Sequence, residues 1–322
     1  MSTEPKQGFL SRGLDFWFRE QPAIHVRAFE SVIVLCMIYY FSFFLLTPRY
    51  WLTDIGYHVS EEATLGHYLP PPVLPPESWL VWILPAFYCS TFAYLFGYGR
   101  RIFAWVFFAV AVYVQAMDQP SAFTINRMFI ISFLILALQP PHRKEGESVW
   151  VEGWVPRFFQ ATLVIQYSTA GMCKMISGNW LVAPLKKLLS GDPTEFWETA
   201  ANNPMYLINI VEPDIVWSQS QGHYKNIISA YAVNYMPLPL WWVLAAATMI
   251  FETGAIFLFT WKKTRIPIVI FGVLFHLGIA ILMKDLIFFS LQMITAYVFF
   301  VPSGWLYRLR DALPAPFDKM LR

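Results

Sequence analysis

Long apolar stretches dominate this sequence of 322 residues and leave few choices of fold. A stretch of roughly 17–25 apolar residues is long enough for a helix to cross the hydrocarbon core of a bilayer. Hydrophobic residues make up 57% of the chain and charged residues only 14%, which is unlike a soluble domain. The sequence therefore predicts an all-α integral membrane protein with about eight transmembrane helices. The predicted spans are residues 23–47, 78–98, 101–117, 122–138, 155–177, 238–261, 266–284 and 286–302.

The predicted domain organisation has three parts. Residues 1–22 form a cytoplasmic or interfacial N-terminal segment, residues 23–302 the transmembrane domain, and residues 303–322 a cytoplasmic interfacial tail. The transmembrane domain includes two extracytoplasmic loops, 48–77 and 178–237. The end segments contain FLSRGLDFWF and WLYRLRDAL, which mix aromatic and basic residues, so we expect an interfacial helix at each end.

The distribution of Lys and Arg between the predicted loops indicates the orientation. Fifteen of these residues fall on the side of the N-terminus and five on the opposite side. Because cytoplasmic loops carry the excess of positive charge, both termini are predicted to be cytoplasmic. The first apolar run follows a polar tail and lacks a small-residue cleavage site, which indicates a retained span. We therefore expect a multi-pass protein of the cell (inner) membrane.

Composition also excludes several kinds of partner. The net charge of +2 is small, and no basic tract or glycine-rich phosphate loop is present, so no nucleic acid partner is predicted. Cys36, Cys89 and Cys173 lie in apolar runs without C-x-x-C spacing, which favours small core residues over a redox centre.

No metal site is predicted. The loop GYHVSEEATLGH places His58, Glu61, Glu62 and His67 close together in sequence. Their spacing matches no strong metal-binding template, and no H-E-x-x-H motif occurs.

Two pairs of polar residues lie near the ends of predicted spans. Arg27 and Glu30 are three residues apart on one helix, a spacing that favours an ion pair. Arg127 begins the fourth span at its outer end, beside Asn126 and close to Asp118. Either Arg127 extends toward water with a carboxylate partner, or it belongs to a functional site.

Lys174 belongs to a polar or small stripe on the fifth span. Gln160, Tyr167, Gly171, Lys174 and Gly178 follow helical spacing on one face. Glycines on that face allow a second helix or a flat ligand to approach closely. Burial there would favour a neutral amine, which can act as a base near neutral pH. The alternative is a structural pairing of the lysine with an acidic group.

Glu252 and His276 lie on the sixth and seventh spans, which run in opposite directions. Counting residues from the span ends places them within one or two helical turns of each other in depth. A buried Glu–His pair that holds the helices together is one interpretation. A proton relay or a substrate contact is the other.

Two segments resemble a known family. Residues 160–180 carry the pattern Q…Y-x-x-x-G-x-x-K…W, and residues 251–293 combine an acidic residue, a K-T-R turn, a helix histidine and an F-F-S run. This combination resembles the vitamin K-dependent γ-carboxylase-like membrane domain, also called the horizontally transferred transmembrane (HTTM) domain. The resemblance implies an HTTM-type helical bundle with its chemistry at the extracytoplasmic face.

The resemblance also implies a cofactor and site residues. The cofactor would be a lipophilic quinol of the menaquinol or ubiquinol type, deprotonated by Lys174. The implied catalytic residues are Lys174, His276 and Glu252. The implied cofactor-binding residues are Gln160, Tyr167, Gly171, Asn126 and Arg127. One departure from the family is that Thr124, Ile125 or Asn126 stands where the carboxylase has a histidine.

The size of the chain resembles the short, stand-alone bacterial members of the family, a group that includes the sporulation-delaying protein B. Such a member would act on an exported peptide or protein, with membrane lipids and a small accessory protein as further partners. The expected function is thus a quinol-dependent enzyme with a lysine base that drives maturation of an exported peptide. A non-enzymatic scaffold for maturation of a secreted peptide toxin remains the alternative.

Overall fold

The structure is a computed structural model, and it describes residues 9–46, 73–117, 124–146, 148–177, 235–282, 286–315 and 317–321. Most of these residues are helical, and a helix lies within each of the eight predicted apolar segments. The predicted loops 48–77 and 178–237 fall almost wholly outside the described residues. The elements, in chain order, are α1 (Phe9–Phe18), β1 (Gln21–Pro22), α2 (Ile24–Leu45), α3 (Glu77–Leu95), α4 (Arg100–Met117), α5 (Thr124–Leu138), β2 (Arg143–Glu145), β3 (Ser148–Val151), α6 (Trp154–Ser177), α7 (Leu238–Thr253), α8 (Ala255–Thr260), α9 (Lys262–Leu282), α10 (Ile287–Ala296), a 3-10 helix (Tyr297–Phe300), α11 (Ser303–Ala312) and a second 3-10 helix (Phe317–Leu321).

Three of the described helices are long and apolar enough to cross a membrane, and they contain Ile24–Ser42, Glu77–Leu95 and Lys262–Leu282. A fourth span results if Ile287–Phe300 and Ser303–Ala312 are counted together. Eight spans are not supported. The helix α5 has 15 residues, about 22 Å at 1.5 Å per residue, which is short of the roughly 30 Å hydrocarbon core.

The chain divides into two compact units, and the first contains the described residues up to Phe159 and from Val301 onward. The helix α2 supplies a buried row at every fourth position, formed by Phe29, Ile33, Met37 and Phe41. The ring of Phe41 lies 5.7 Å from that of Phe129 on α5. This spacing follows from helical periodicity, because residues four apart share one face.

A small antiparallel sheet is a feature of this unit that the all-α prediction did not include. Its strands have the order β1-β3-β2, and Gln21 pairs with Val151. Gly146 has φ of +61° in the turn between β2 and β3, a conformation that favours glycine. The sheet joins the start of α2 to the connection between α5 and α6, because Ala23 N–H donates to the carbonyl of Val149 at 2.9 Å.

Glu30 is the polar centre of the first unit and is only 2% exposed. Its Oε2 lies 2.8 Å from the Arg27 guanidinium and 3.8 Å from that of Arg100. Its Oε1 accepts a hydrogen bond from Gln139 Nε2 at 2.8 Å. The predicted Arg27–Glu30 pair is therefore confirmed, and α4 and the end of α5 also contribute to it.

The second unit contains the described residues of Gln160–Phe300. The sixth predicted span is divided, because α7 ends at Thr253 and α8 begins at Ala255 after Gly254. The core of the second unit is aromatic, with Phe251 and Phe259 almost fully buried. These rings surround the polar groups of α6 and α9 that form the candidate site.

We expect Glu30→Gln to lower the free energy of unfolding by about 3 kcal/mol, because it leaves the buried Arg27 guanidinium without its charge partner. Unfolding in mixed micelles with increasing dodecyl sulfate measures the effect. Glu20→Gln is the matched control, since Glu20 forms an exposed pair with Arg143, which is worth at most about 1 kcal/mol. Equal losses in the two variants would contradict a central role for Glu30.

His142 gives the first unit a pH dependence. It follows α5, and its Nε2 lies 3.2 Å from Gln139 Oε1. Burial, with a smaller contribution from the charge of Arg27, lowers the pKa of His142 to about 3. The unfolded chain therefore binds more protons between about pH 3 and pH 6.5, and stability falls as the pH decreases below about 6.5.

We expect the wild-type protein to lose stability between pH 7.5 and pH 5 by roughly 1–2 kcal/mol more than the His142→Gln variant does. Glutamine cannot take up this proton but keeps a polar group at the position. Unfolding curves of both proteins at the two pH values measure the difference. Identical pH dependence in the two proteins would show that His142 is not buried in its neutral form.

Candidate functional site

Lys174 and Glu252 form an ion pair in the second unit. Lys174 Nζ donates to Glu252 Oε1 at 2.6 Å and to Oε2 at 2.5 Å. The two side chains differ in burial, because Lys174 is 25% exposed and Glu252 only 7%. The carboxylate is thus the more deeply buried member of the pair.

Gly171 explains how α7 brings Glu252 to Lys174. A Cβ atom at Gly171 would lie 2.6 Å from the backbone nitrogen of Thr253 and 2.9 Å from the carbonyl carbon of Glu252. The absence of a side chain therefore lets the backbones of α6 and α7 touch. Lys174 is one helical turn further along α6, so its side chain reaches the carboxylate next to this contact.

A second polar cluster lies two turns before Lys174 on α6. The Tyr167 hydroxyl is 2.5 Å from His276 Nε2 and 2.5 Å from the Tyr297 hydroxyl. All three side chains are almost completely buried. The Glu252–His276 pair expected from the sequence does not form, since Glu252 pairs with Lys174 and His276 with Tyr167.

Aromatic rings enclose this cluster. Tyr167 stacks on Phe259 with the ring planes 9° apart and meets the Phe251 ring edge-on at 4.8 Å. Gly272 on α9 makes room for the Tyr297 hydroxyl, because a Cβ at Gly272 would overlap that oxygen. The cluster is therefore a buried hydrogen-bond network, in which His276 Nδ1 has no partner among the described residues.

Gln160 completes the stripe on α6. Its Nε2 donates to the backbone carbonyl of Phe299 at 2.6 Å, next to the 3-10 helix that carries Tyr297. Four predicted residues of α6 thus contact α7, α9 or residues 297–300, all within one unit. These four residues are Gln160, Tyr167, Gly171 and Lys174.

Asn126 and Arg127 belong to the first unit. Asn126 is fully buried, and its Nδ2 donates to the carbonyl of Ala111 at 2.7 Å and to Gln115 Oε1 at 3.3 Å. It therefore joins α5 to α4. Arg127 is exposed, and Asp118, its expected partner, lies outside the described residues.

The quinol implied by the family resemblance requires flat, open space beside Tyr167 and Gly171. The backbone of Thr253 occupies the space at Gly171, and Tyr167 is 3% exposed with its hydroxyl between two partners. These residues do not fit a quinol ring in this arrangement. Quinol binding at this face would require α7 to move away from α6, and it stays a prediction.

Sequence reasoning missed Tyr297. It considered charged residues and histidines in the spans, and a tyrosine in an apolar run appeared to be part of the core. Its position two helical turns after Ser290 was the available signal. Within the described ranges, no group of three or more His, Cys, Asp or Glu is placed to hold a metal ion. The residues His58, Glu61, Glu62 and His67 lie outside those ranges.

We expect Gly171→Ala to lower the free energy of unfolding by about 1–3 kcal/mol, because the new methyl group pushes α7 away. Gly278→Ala on α9 is the matched control, since a Cβ there meets nothing within 4 Å. It should be neutral or slightly stabilising, as alanine favours helix formation. Chemical unfolding of both variants in micelles makes the comparison, and a stable Gly171→Ala protein would contradict the close contact.

A scan against protein-family models found no match to this chain, and searches of the curated proteins and of the solved structures found none either. The likeness to the HTTM family therefore rests on the two residue patterns at 160–180 and 251–293, and membership of that family stays a prediction.

Proposed function

We propose that this chain is a membrane-embedded acid–base enzyme that uses Lys174 and Glu252 to take a proton from a substrate. The observation that carries the proposal is the unequal burial of this pair. The Lys174 side chain is a quarter exposed, whereas the Glu252 side chain is almost fully buried. A partly exposed amine that contacts a buried proton acceptor is suited to general base catalysis.

The proton can move within the pair without creating net charge. In one form Lys174 is an ammonium and Glu252 a carboxylate. In the other form the proton has passed from Nζ to a carboxyl oxygen, and both groups are neutral. Low dielectric surroundings penalise separated charges, so they favour the neutral form more than water does. The free electron pair of the Lys174 amine then accepts the proton of the substrate.

We further propose how the helices are arranged in the membrane. We assign the chain to an HTTM-type bundle of about eight spans in the cell membrane, with both termini in the cytoplasm and Lys174 near the extracytoplasmic end of α6. The shorter helices α4, α5 and α7 would complete the bundle. The family likeness supports maturation of an exported peptide as the outcome of the reaction.

The pH profile of a labelling reaction tests the pair directly. A lipid-soluble isothiocyanate reacts only with neutral amines. Proton transfer inside the pair does not depend on pH, so we expect the labelling rate of Lys174 to stay constant between pH 6.5 and pH 8.5. A short lysine peptide added to the same sample is the reference, and its labelling rate should gain about tenfold per pH unit. Peptide mass spectrometry reports both rates.

Glu252→Gln removes the proton acceptor and is the decisive variant. In this variant the Lys174 amine becomes neutral only by losing its proton to solvent, so its labelling rate should change with pH instead of staying constant. A rising profile of Lys174 in the wild-type protein, or no labelling of Lys174 at any of these pH values, would rule out the neutral pair.

A non-enzymatic scaffold is the second candidate, and the closed packing around Gly171 and Tyr167 favours it. In a scaffold the Lys174–Glu252 pair only holds α6 to α7, and Lys174→Arg would preserve that role. The enzyme requires an amine that can become neutral, so Lys174→Arg should abolish it as Lys174→Ala does.

Secreted peptides of cells that carry each variant distinguish the two candidates. We expect a peptide modification that is present with wild type and Lys263→Ala but at least about 100-fold reduced with Lys174→Ala and Lys174→Arg. Full modification with Lys174→Arg would favour the scaffold.

A further inference from the structure

A cavity of about 820 Å³ lies in the first unit, away from the residues that the sequence predicted as functional. The start of α2, the turn between β2 and β3, α11 and the C-terminal 3-10 helix form its walls. Its lining is mainly polar. The charged residues in the lining are Arg27, Lys144, Arg310, Asp311 and Asp318.

The charges of the lining favour an anion. Three cationic side chains face two carboxylates. One of these carboxylates, Asp311, is held by Arg310, whose Nε and NH2 lie 2.9 Å and 2.8 Å from Asp311 Oδ1. Arg310 also lies over the ring of Tyr307, another lining residue, at 5.1 Å.

Arg27 is the more deeply placed of the two arginines in the lining, with 13% of its side chain exposed against 31% for Arg310. Its NH1 donates to Glu30 at 2.8 Å, and Glu30 also interacts with Arg100. The Nε–H group of Arg27 is buried and has no hydrogen-bond partner among the described residues. This N–H group is not exposed to the cavity, so Arg27 contributes through the rest of its side chain, which lines the cavity, and through its positive charge, which favours an anionic ligand.

The first turn of α2 also faces this cavity through Ala23 and Ile24. The leading N–H groups of a helix have no partner within the helix, and they form the positive end of its dipole. No side chain caps the N-terminus of this 22-residue helix. Phosphate oxygens are the ligands that such a helix end typically binds.

The surroundings of the cavity point to a lipid as the source of the phosphate. The candidate span Ile24–Ser42 begins at the cavity wall. The helix α11, which contributes Arg310, exposes Trp305 and Leu309. Aromatic and basic residues together on a short helix are typical of the membrane interface. A soluble phosphate compound would not require these exposed apolar residues.

We propose that this cavity binds the phosphate group of a phospholipid headgroup, with Arg27, Lys144 and Arg310 as its cationic ligands. The site is independent of the acid–base pair on α6 and α7. It would fix the start of α2 and the helix α11 to one leaflet of the membrane.

Native mass spectrometry of the full chain in detergent micelles tests the proposal. The protein is titrated with dioleoylphosphatidylglycerol and, separately, with dioleoylglycerol, which has the same acyl chains and no phosphate. We expect stoichiometric binding of the phospholipid only. Lys144→Gln and Arg310→Gln should each weaken it roughly fivefold, as expected for loss of one cation at a membrane surface.

Arg308→Gln is the matched control, because Arg308 lies on the same helix, is exposed and is not part of the lining. The Arg308→Gln variant should bind the phospholipid as tightly as the wild type does. An equal loss with Arg308→Gln would show general attraction between charges and overturn the site. Equal binding of dioleoylglycerol would exclude recognition of phosphate, and equally tight binding of inorganic phosphate would exclude a lipid.

Discussion

Polar side chains within apolar helices must find their partners inside the protein, because lipid offers no hydrogen bonds. Each unit meets this constraint with one acidic residue at its centre. In the first unit, Glu30 interacts with Arg27, Arg100 and Gln139. In the second unit, Glu252 forms an ion pair with Lys174. Both carboxylates are buried, so the helices that supply their partners cannot shift without leaving a charge unpaired.

The contact at Gly171 links packing to chemistry in the second unit. A glycine lets α6 and α7 touch at Thr253, and this contact determines which side chains meet one turn further along. The buried cluster of Tyr167, His276 and Tyr297 ties α6 to α9 and to residues 297–300. The position of the Lys174 amine is therefore defined by contacts one and two turns before it on α6.

The sequence was sufficient to predict the helical segments and the polar face of α6, because both depend on local periodicity. It could not assign partners across helices. Counting residues places Glu252 and His276 at similar depth, but the rotation of each helix about its axis decides the pairing, and that rotation depends on tertiary packing. Glu252 consequently meets Lys174, whereas His276 meets Tyr167. Apolar composition does not reveal that α7 ends at Thr253 or that α5 is short, so the described helices support only three or four of the predicted spans by length and apolarity.

The choice of lysine at position 174 bears on whether the pair is structural or chemical. A pair that only holds two helices together would gain from arginine, whose planar guanidinium binds both oxygens of a carboxylate and stays charged. The first unit uses arginine as the partner of Glu30, where the largely buried Arg27 pairs with Oε2. Lysine is the side chain that can become neutral in apolar surroundings. Its presence at the partly exposed end of a pair with a buried carboxylate is explained by proton transfer more directly than by packing.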